Sequence, residues 1–117
     1  MRVALVTGGG SGIGRSAALE LNKIDFTVYV VGRREEELIK TSSLATNNNH
    51  KIIPIKTDIT IGSQVIALFD KIKSDYGRID LLFNNAGMGA PRVPIEELKE
   101  EDWRKTVDVN LTGSFLC

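Results

Sequence analysis

A glycine-rich octapeptide directly after a short apolar run is the feature that most constrains this chain. Val3–Val6 predicts a buried strand, and the next eight residues read Thr-Gly-Gly-Gly-Ser-Gly-Ile-Gly from Thr7 to Gly14. A helix is predicted from about Gly12. Glycines in such a turn let the backbone approach a ligand closely, and the first N–H groups of the helix point at that ligand. The turn therefore predicts an anion site, which a diphosphate fits best.

Three glycines of this turn have different expected roles. Gly8 supplies a tight turn, Gly12 permits close approach to a diphosphate, and Gly14 permits close packing of the helix on the strand. A flexible turn without any ligand is the alternative. The position of the turn, between a strand and a helix at the start of a βαβ unit, favours the nucleotide site.

Strand and helix signals alternate along the whole chain and predict an α/β fold. The order βαβαβαβα is typical of a Rossmann-like, doubly wound parallel sheet with helices on both faces, here in one domain over residues 1–117. Pro54 has no N–H to donate to a sheet, so the third strand is expected at an edge. The fourth strand is expected to be buried. The predicted strands are Val3–Val6, Phe26–Val31, Lys51–Lys56 and Asp80–Asn84, and the predicted helices begin near Gly12, Arg33, Ser63 and Glu96.

Composition excludes several classes of partner. The 15 basic and 15 acidic residues give zero formal net charge, which removes any global reason to expect nucleic acid or an anionic membrane as partner.

The lone Cys117 cannot form an intrachain disulfide, and the first apolar run is too short for a signal peptide or a membrane span. We expect a cytoplasmic protein. No metal-ligand spacing exists, and His50 is expected to be exposed in its Asn-rich loop.

The end of the second strand bears on the choice of nicotinamide cofactor. An NAD site usually places a carboxylate there for the ribose 2′-hydroxyl, whereas this chain has Gly32 followed by Arg33 and Arg34. Two guanidinium groups match a 2′-phosphate, so NADP(H) is favoured over NAD(H). The alternative is that both arginines only begin a solvated helix, in which the glutamates at 35–37 neutralise them.

Several motifs together resemble the short-chain dehydrogenase/reductase family. Thr7–Gly14 is similar to the family's Thr-Gly-x-x-x-Gly-x-Gly cofactor motif, and Asn84–Gly87 matches its Asn-Asn-Ala-Gly motif. Asp58, followed by Ile59, resembles the aspartate that contacts adenine. The segment from Trp103 to Gly113 resembles the stretch that holds the catalytic asparagine, here Asn110.

This resemblance implies an oxidoreductase that transfers a hydride between a nicotinamide cofactor and a small alcohol or carbonyl substrate. Two of the implied roles have structural alternatives. Asn84 would lie along the ribose or instead fix the neighbouring glycine turn, and Asp58 would contact adenine or instead cap a helix. The cofactor-binding residues implied by the match are Thr7, Gly8, Ser11, Gly12, Ile13, Gly14, Arg33, Arg34, Asp58, Ile59, Asn84, Ala86 and Gly87.

The chain departs from the family in what it lacks. The family's catalytic serine and Tyr-x-x-x-Lys pair lie beyond the position of Asn110, and neither Tyr29 nor Tyr76 has a lysine four residues on. The resemblance implies a sheet order 3-2-1-4-5-6-7, of which only strands 3, 2, 1 and 4 are expected here. The fourth strand then becomes an edge, and the apolar stripe from Trp103 to Phe115 is expected to be exposed.

Three explanations of this departure stay open. In the first, the chain is the cofactor-binding half of an NADP-dependent oxidoreductase. In the second, it is a natural short protein that binds a dinucleotide without catalysis. In the third, it is a half that pairs with another chain. We favour the first, because Asn110 has little use in a pure binder, although bracing its helix is an alternative role. The full-length protein is expected to be a homo-oligomer, either a dimer or a tetramer.

Overall fold

A computed structural model describes all residues, 1–117, as alternating strands and helices. No helix in it combines the length and the apolar character needed to cross a membrane. The elements are β1 Arg2–Thr7, α1 Gly12–Lys23, β2 Phe26–Gly32, α2 Glu35–Ser43, β3 Ile52–Lys56, α3 Gly62–Tyr76, β4 Leu81–Phe83, a 3-10 turn Ile95–Glu97, α4 Glu100–Val107, a π-helical turn Asp108–Thr112 and α5 Gly113–Leu116.

The four strands form one parallel sheet in the order β3-β2-β1-β4. This confirms the Rossmann-like fold and the predicted strand order. Pro54 lies opposite Val30 in β3, which pairs only with β2. Because the outer side of an edge strand needs no ladder partner, the missing N–H of Pro54 is tolerated there.

Helices cover both faces of the sheet because consecutive side chains of β1 point in opposite directions. Val3 and Leu5 pack in a cluster with Leu68 and other residues of α3. Ala4 and Val6 pack in a second cluster with Ala18 of α1 and Leu38 of α2. These two clusters form the core, and they hold the turn after β1 at the carboxyl end of the sheet.

The fourth strand is shorter and more exposed than expected. It contains only Leu81–Phe83, and Leu82 is 38% exposed. The expectation of a buried strand was wrong in this structure, because β4 pairs with β1 alone and no strand lies beyond it. The expectation that it forms an edge is confirmed.

The apolar stripe near the carboxyl end is exposed, as expected. Trp103 is 57% exposed, Leu111 67% and Phe115 83%. The expected continuous helix is divided into α4, the π-helical turn and α5. Gly113 anchors this segment, since a Cβ there would lie 2.7 Å from Ile59 Cδ1.

His50 is more buried than the sequence suggested. Its side chain is only 19% exposed, and Nε2 lies 3.9 Å from Asp25 Oδ1. The expectation of an exposed histidine was wrong because the Asn-rich loop folds back over the end of α1. Asn47 Nδ2 donates to Asn22 O at 2.9 Å, and Asn22 Nδ2 donates to His50 O at 3.0 Å.

The start of α1 is packed against the turn that precedes it. A Cβ at Gly14 would lie 2.1 Å from the carbonyl oxygen of Gly8 and 2.6 Å from Asn85 Nδ2. Gly9 is similarly confined, because its Cβ would lie 2.6 Å from Val30 Cβ. Only glycine leaves room for the helix, the turn and the loop after β4 to meet at this point.

Gly14→Ala should destabilise the fold by more than about 2 kcal/mol, because the added methyl meets backbone atoms that have little room to move. Gly62→Ala is the matched control. A Cβ at Gly62, in the first turn of α3, has nothing within 4 Å, so this change should leave the stability unchanged or raise it by up to about 1 kcal/mol. Urea unfolding measures both, and equal stabilities for the two variants would contradict the packing argument.

Asp80 ties the beginning of β1 to the residues before β4. Its Oδ2 accepts the N–H of Val3 at 2.8 Å, and its own N–H donates to Val3 O at 2.8 Å. Arg78 Nη2 lies 2.6 Å from Asp80 Oδ1. The hydrogen bonds from Arg78 and then from Val3 lower the pKa of Asp80 below 3.8. A lowered pKa means that the folded state favours the ionised carboxylate.

The contribution of the Asp80 charge to stability should be present above pH 3.8 and be lost as the pH falls through the lower folded-state pKa. Asp80→Asn should therefore be less stable than the parent chain near neutral pH, and the two should converge in acid. Urea unfolding at a series of pH values tests this. Asp70→Asn, on an exposed position of α3, is the control and should not change the pH profile; a constant Asp80→Asn deficit at all pH values would contradict the prediction.

Candidate cofactor-binding site

A cleft of about 550 Å³ opens at the carboxyl end of the sheet, where the turns after β1, β2, β3 and β4 meet. In parallel α/β sheets, ligands bind at this end of the strands. Most of the predicted site residues line this cleft: Gly8, Ser11, Gly12, Ile13, Arg33, Arg34, Asp58, Ile59, Ala86 and Gly87. Thr7, Gly14, Asn84 and Asn110 do not.

Thr7 acts from behind the cleft. It is 1% exposed, and its Oγ1 accepts the N–H groups of Asn85 at 3.0 Å and Ala86 at 2.9 Å. One buried hydroxyl thus joins the glycine turn to the loop after β4. This hydrogen bonding satisfies two backbone donors of the loop after β4.

Asn85, and not Asn84, fixes the glycine turn. Asn85 Nδ2 donates to Thr7 O at 3.1 Å and to Gly8 O at 3.4 Å. Asn84 is exposed and lies outside the cleft lining. Neighbouring residues in extended backbone project to opposite sides, so a pair of identical asparagines does not reveal which one faces the turn.

Two glycines of the turn have positive φ, one in close packing and one beside open space. Gly8 has φ +66°, and its Cβ would lie 2.9 Å from Asn85 Nδ2. Gly12 has φ +52°, and nothing lies within 4 Å of the position of its Cβ. The 73% exposed Ile13 follows on the rim. A side chain at Gly12 would stand in the open space beside the first helical N–H groups, so the turn fits a diphosphate.

Arg33 and Arg34 line the cleft without a carboxylate partner within 4.0 Å. Arg34 Nη2 donates weakly to Ser11 Oγ at 3.4 Å. Glu37 does not neutralise either of them, because its carboxylate lies 2.9 Å from Arg15 Nη2. Two free guanidinium groups therefore lie beside the glycine turn.

Asp58 lies on the cleft in a tight local turn. Its Oδ1 accepts the hydroxyl of Thr60 at 2.6 Å and the N–H of Thr60 at 3.0 Å. The Thr60 hydroxyl is the main cause of a lowered pKa for Asp58, and the charge of Arg33 adds to it. The residue at the N-cap of α3 is Ile61, so Asp58 does not cap this helix. Its other oxygen, Oδ2, accepts no hydrogen bond from the chain.

Ile59 lines the cleft but is almost fully buried. It is 6% exposed, and its side chain packs in the core cluster below β1 and β2. Any contact with a ligand at this position therefore depends on main-chain atoms.

Asn110 lies in the π-helical turn and holds the loop after β4. Its Oδ1 accepts the N–H of Met88 at 2.9 Å, and its Nδ2 donates to Met88 O at 2.7 Å. A Cβ at Gly87 would lie 2.8 Å from the same Oδ1. The side chain therefore braces the cleft wall. Wide π-helical turns change which backbone carbonyls are bonded, and they are frequent at functional sites.

Neither tyrosine reaches the cleft. Tyr29 is fully buried, donates its hydroxyl to Asp75 Oδ2 at 2.6 Å and packs edge-on against Tyr76 with ring centroids 6.1 Å apart. Burial, followed by the bond to Asp75, raises the pKa of Tyr29 above its ordinary value. A phenol so held has a structural role.

Sequence reasoning missed residues whose roles depend on contacts between distant segments. Arg15 and Thr41 join α1, α2 and the glycine turn, and nothing in their spacing indicates it. For Asn85, the one available signal was its position as the second asparagine of the Asn-Asn-Ala-Gly motif. Other lining residues that were not predicted are Gly10, Val31, Gly32, Glu37, Leu38, Thr57, Thr60, Asn85, Met88 and Val109.

Two solved structures with this architecture contain nicotinamide cofactors. A metagenomic short-chain oxidoreductase in complex with NADP is 28% identical, with a TM-score of 0.92 over 98% of this chain and 52% of its own. A 3-ketoacyl-(acyl-carrier-protein) reductase from Brucella melitensis complexed with NADH is 29% identical, with a TM-score of 0.89 over 98% of this chain and 46% of its own.

Relatives of greater identity are also dehydrogenases and reductases. A 3beta-hydroxysteroid dehydrogenase of Mediterraneibacter gnavus is 37% identical over 99% of this chain and 42% of its own length. Levodione reductase is 34% identical, with a TM-score of 0.93 over 98% of this chain and 45% of its own. The chain thus spans less than half the length of these relatives.

A sequence model of the short chain dehydrogenase family matches residues 2–117, which is almost the whole chain. The match contains the glycine turn, the cleft and the bracing asparagines described above. The chain belongs to the short chain dehydrogenase family of oxidoreductases.

Proposed function

We propose that this chain is the NADP(H)-binding part of an oxidoreductase that interconverts an alcohol and a carbonyl compound. The observation that carries the proposal is the pair Arg33 and Arg34, which line the cleft beside the glycine turn with no carboxylate partner. A 2′-phosphate carries negative charge and several acceptor oxygens, which two guanidinium forks match. The cofactor, when bound, would supply or accept the hydride.

The glycine turn would hold the diphosphate. Gly12 leaves space for it, the N–H groups at the start of α1 would donate to it, and Ser11 offers a hydroxyl at the rim. Ile13 would lie on the nicotinamide side. Thr7 and Gly14 would act indirectly, by fixing the conformation of the turn.

The opposite wall would hold the adenosine and ribose groups. Asp58 has an unbonded Oδ2 that would accept the adenine amino group, and Ile59 would contribute its backbone. Ala86 and Gly87 would lie along the ribose. Asn84, which is exposed outside the cleft, supports the proposal least of the predicted residues.

Asn110 would serve catalysis by holding a water of the proton relay from the π-helical turn, while its side chain positions the backbone of Met88. The chain has no Tyr-x-x-x-Lys pair to transfer the proton of the substrate oxygen. We therefore propose that the 117-residue chain alone is inactive and that the catalytic residues come from sequence outside it. The coding sequence after codon 117 tests this origin directly: an in-frame Ser and Tyr-x-x-x-Lys support it, and a genuine stop codon contradicts it.

A second candidate function is that of a non-catalytic dinucleotide-binding protein or a subunit that pairs with another chain. The exposed edge β4 and the exposed Trp103, Leu111 and Phe115 favour it, since an unpaired strand edge and exposed large apolar side chains are often covered by a partner. The same surfaces would also serve a dimer or tetramer of a full-length protein. Sedimentation of the 117-residue chain with and without cofactor separates a monomer from these assemblies.

NADPH should bind more tightly than NADH. The double variant Arg33→Ala, Arg34→Ala should raise the Kd for NADPH about 10- to 100-fold, the loss expected for two charge-assisted contacts, and leave the Kd for NADH within about twofold. Fluorescence titration measures both constants. Lys40→Ala, on the exposed side of α2, is the control; equal affinities of the parent chain for the two cofactors would refute the NADP(H) preference.

The purified 117-residue chain should bind NADPH but show no turnover with any alcohol or carbonyl compound, because it has no Tyr-x-x-x-Lys pair and neither of its tyrosines lines the cleft. Absorbance of the cofactor at saturating concentration measures this. Turnover that increases in proportion to the chain, and that the Arg33→Ala, Arg34→Ala variant loses with NADPH, would overturn the proposed inactivity.

A further inference from the structure

Arg15 is held between α1, α2 and the glycine turn. Its side chain is only 18% exposed. Nη2 lies 2.9 Å from Glu37 Oε2 and 3.0 Å from Glu37 O, and it also donates to Gly10 O at 2.5 Å. Nε donates to Thr41 Oγ1 at 2.9 Å. Every one of these acceptors belongs to α2 or to the glycine turn, so Arg15 is not available as a free cation.

Glu37 and Asp58 are the two acidic residues that line the cleft. Its Cβ would lie 3.2 Å from a Cβ at Gly10, so it packs directly on the glycine turn. Ser11, the next residue of this turn, accepts the hydrogen bond from Arg34. Glu37 and the two free arginines therefore line one wall, on which we place the 2′-phosphate.

A carboxylate in this wall would repel a 2′-phosphate unless another charge compensates for it. Neither Arg33 nor Arg34 lies within 4.0 Å of the Glu37 carboxylate, whereas Arg15 Nη2 contacts it at 2.9 Å. We propose that Arg15 determines cofactor specificity: by pairing with Glu37, it cancels the negative charge on this wall that would repel a 2′-phosphate. This inference rests on the proposed NADP(H)-binding function of the cleft.

The glycine turn has other supports besides Arg15, one of which, Thr41, also accepts a hydrogen bond from Arg15 Nε. Thr41 Oγ1 donates to Gly9 O at 2.8 Å, and Asn85 braces Gly8 from the other side. Removal of the guanidinium should therefore leave the shape of the turn largely intact, and its main effect should be an uncompensated Glu37 carboxylate. NADH, which has a hydroxyl in place of the 2′-phosphate, should be affected little.

A double-mutant cycle separates this charge effect from a structural one. Arg15→Met keeps the aliphatic length and removes the charge, and it should raise the Kd for NADPH about tenfold or more while the Kd for NADH stays within about twofold. Glu37→Gln added to Arg15→Met should restore the NADPH affinity to within about threefold of the parent chain. Arg15→Lys, which keeps the charge, should retain the preference for NADPH.

Fluorescence titration of NADPH and NADH into each folded variant, with circular dichroism as the folding check, provides the readout. Parallel weakening of both cofactors in Arg15→Met, or no recovery in the double variant, would overturn the inference and indicate a structural role. If Arg15→Met does not fold, the Arg15→Lys and Glu37→Gln variants decide: a loss of NADPH preference in Arg15→Lys overturns the inference. Failure of the parent chain to bind either cofactor would instead refute the proposed function.

Discussion

The contact of Gly14 with the carbonyl of Gly8 is the constraint on which the cleft depends. The space for a Cβ at Gly14 is taken by that carbonyl and by the amide of Asn85. Because α1 begins directly on the turn, its N–H groups face the cleft, and the loop after β4 is drawn to the same point. Thr7 completes the junction with one buried hydroxyl that accepts two N–H groups. The glycine turn, the start of α1 and the loop after β4, which is distant in sequence, thus meet at one point.

Polar residues around this junction act mainly through other residues. Asn110 holds Met88, Asn85 holds Gly8, and Arg15 holds Glu37. The polar groups that the cleft offers to a ligand include glycine backbone, the arginines Arg33 and Arg34, and Oδ2 of Asp58. This separation between groups that face the ligand and side chains that hold them suits a dinucleotide site. A ligand contact keeps its geometry only when the side chains behind it are fixed.

Much of the fold followed from local patterns, and the errors have a common cause. Pro54 correctly predicted an edge strand, since the lack of an N–H is a property of the residue itself. The burial of β4 and the exposure of His50 were predicted wrongly, because each depends on what lies beside the residue in space. The choice of Asn85 over Asn84 as the brace of the turn has the same origin: two identical neighbours differ only in the direction in which the backbone points them.

The sequence by itself determined the family, the α/β order and the glycine turn. The hydrophobic periodicity of strands and helices and the requirement for glycine are local properties of short stretches of residues. Tertiary structure alone decided which charges remain free in the cleft. Arg15, Arg33 and Arg34 carry the same charge in the sequence, and only distances show that Arg15 pairs with Glu37 while the other two have no carboxylate within 4.0 Å. Electrostatic pairing depends on separation in space, and no local pattern specifies that separation.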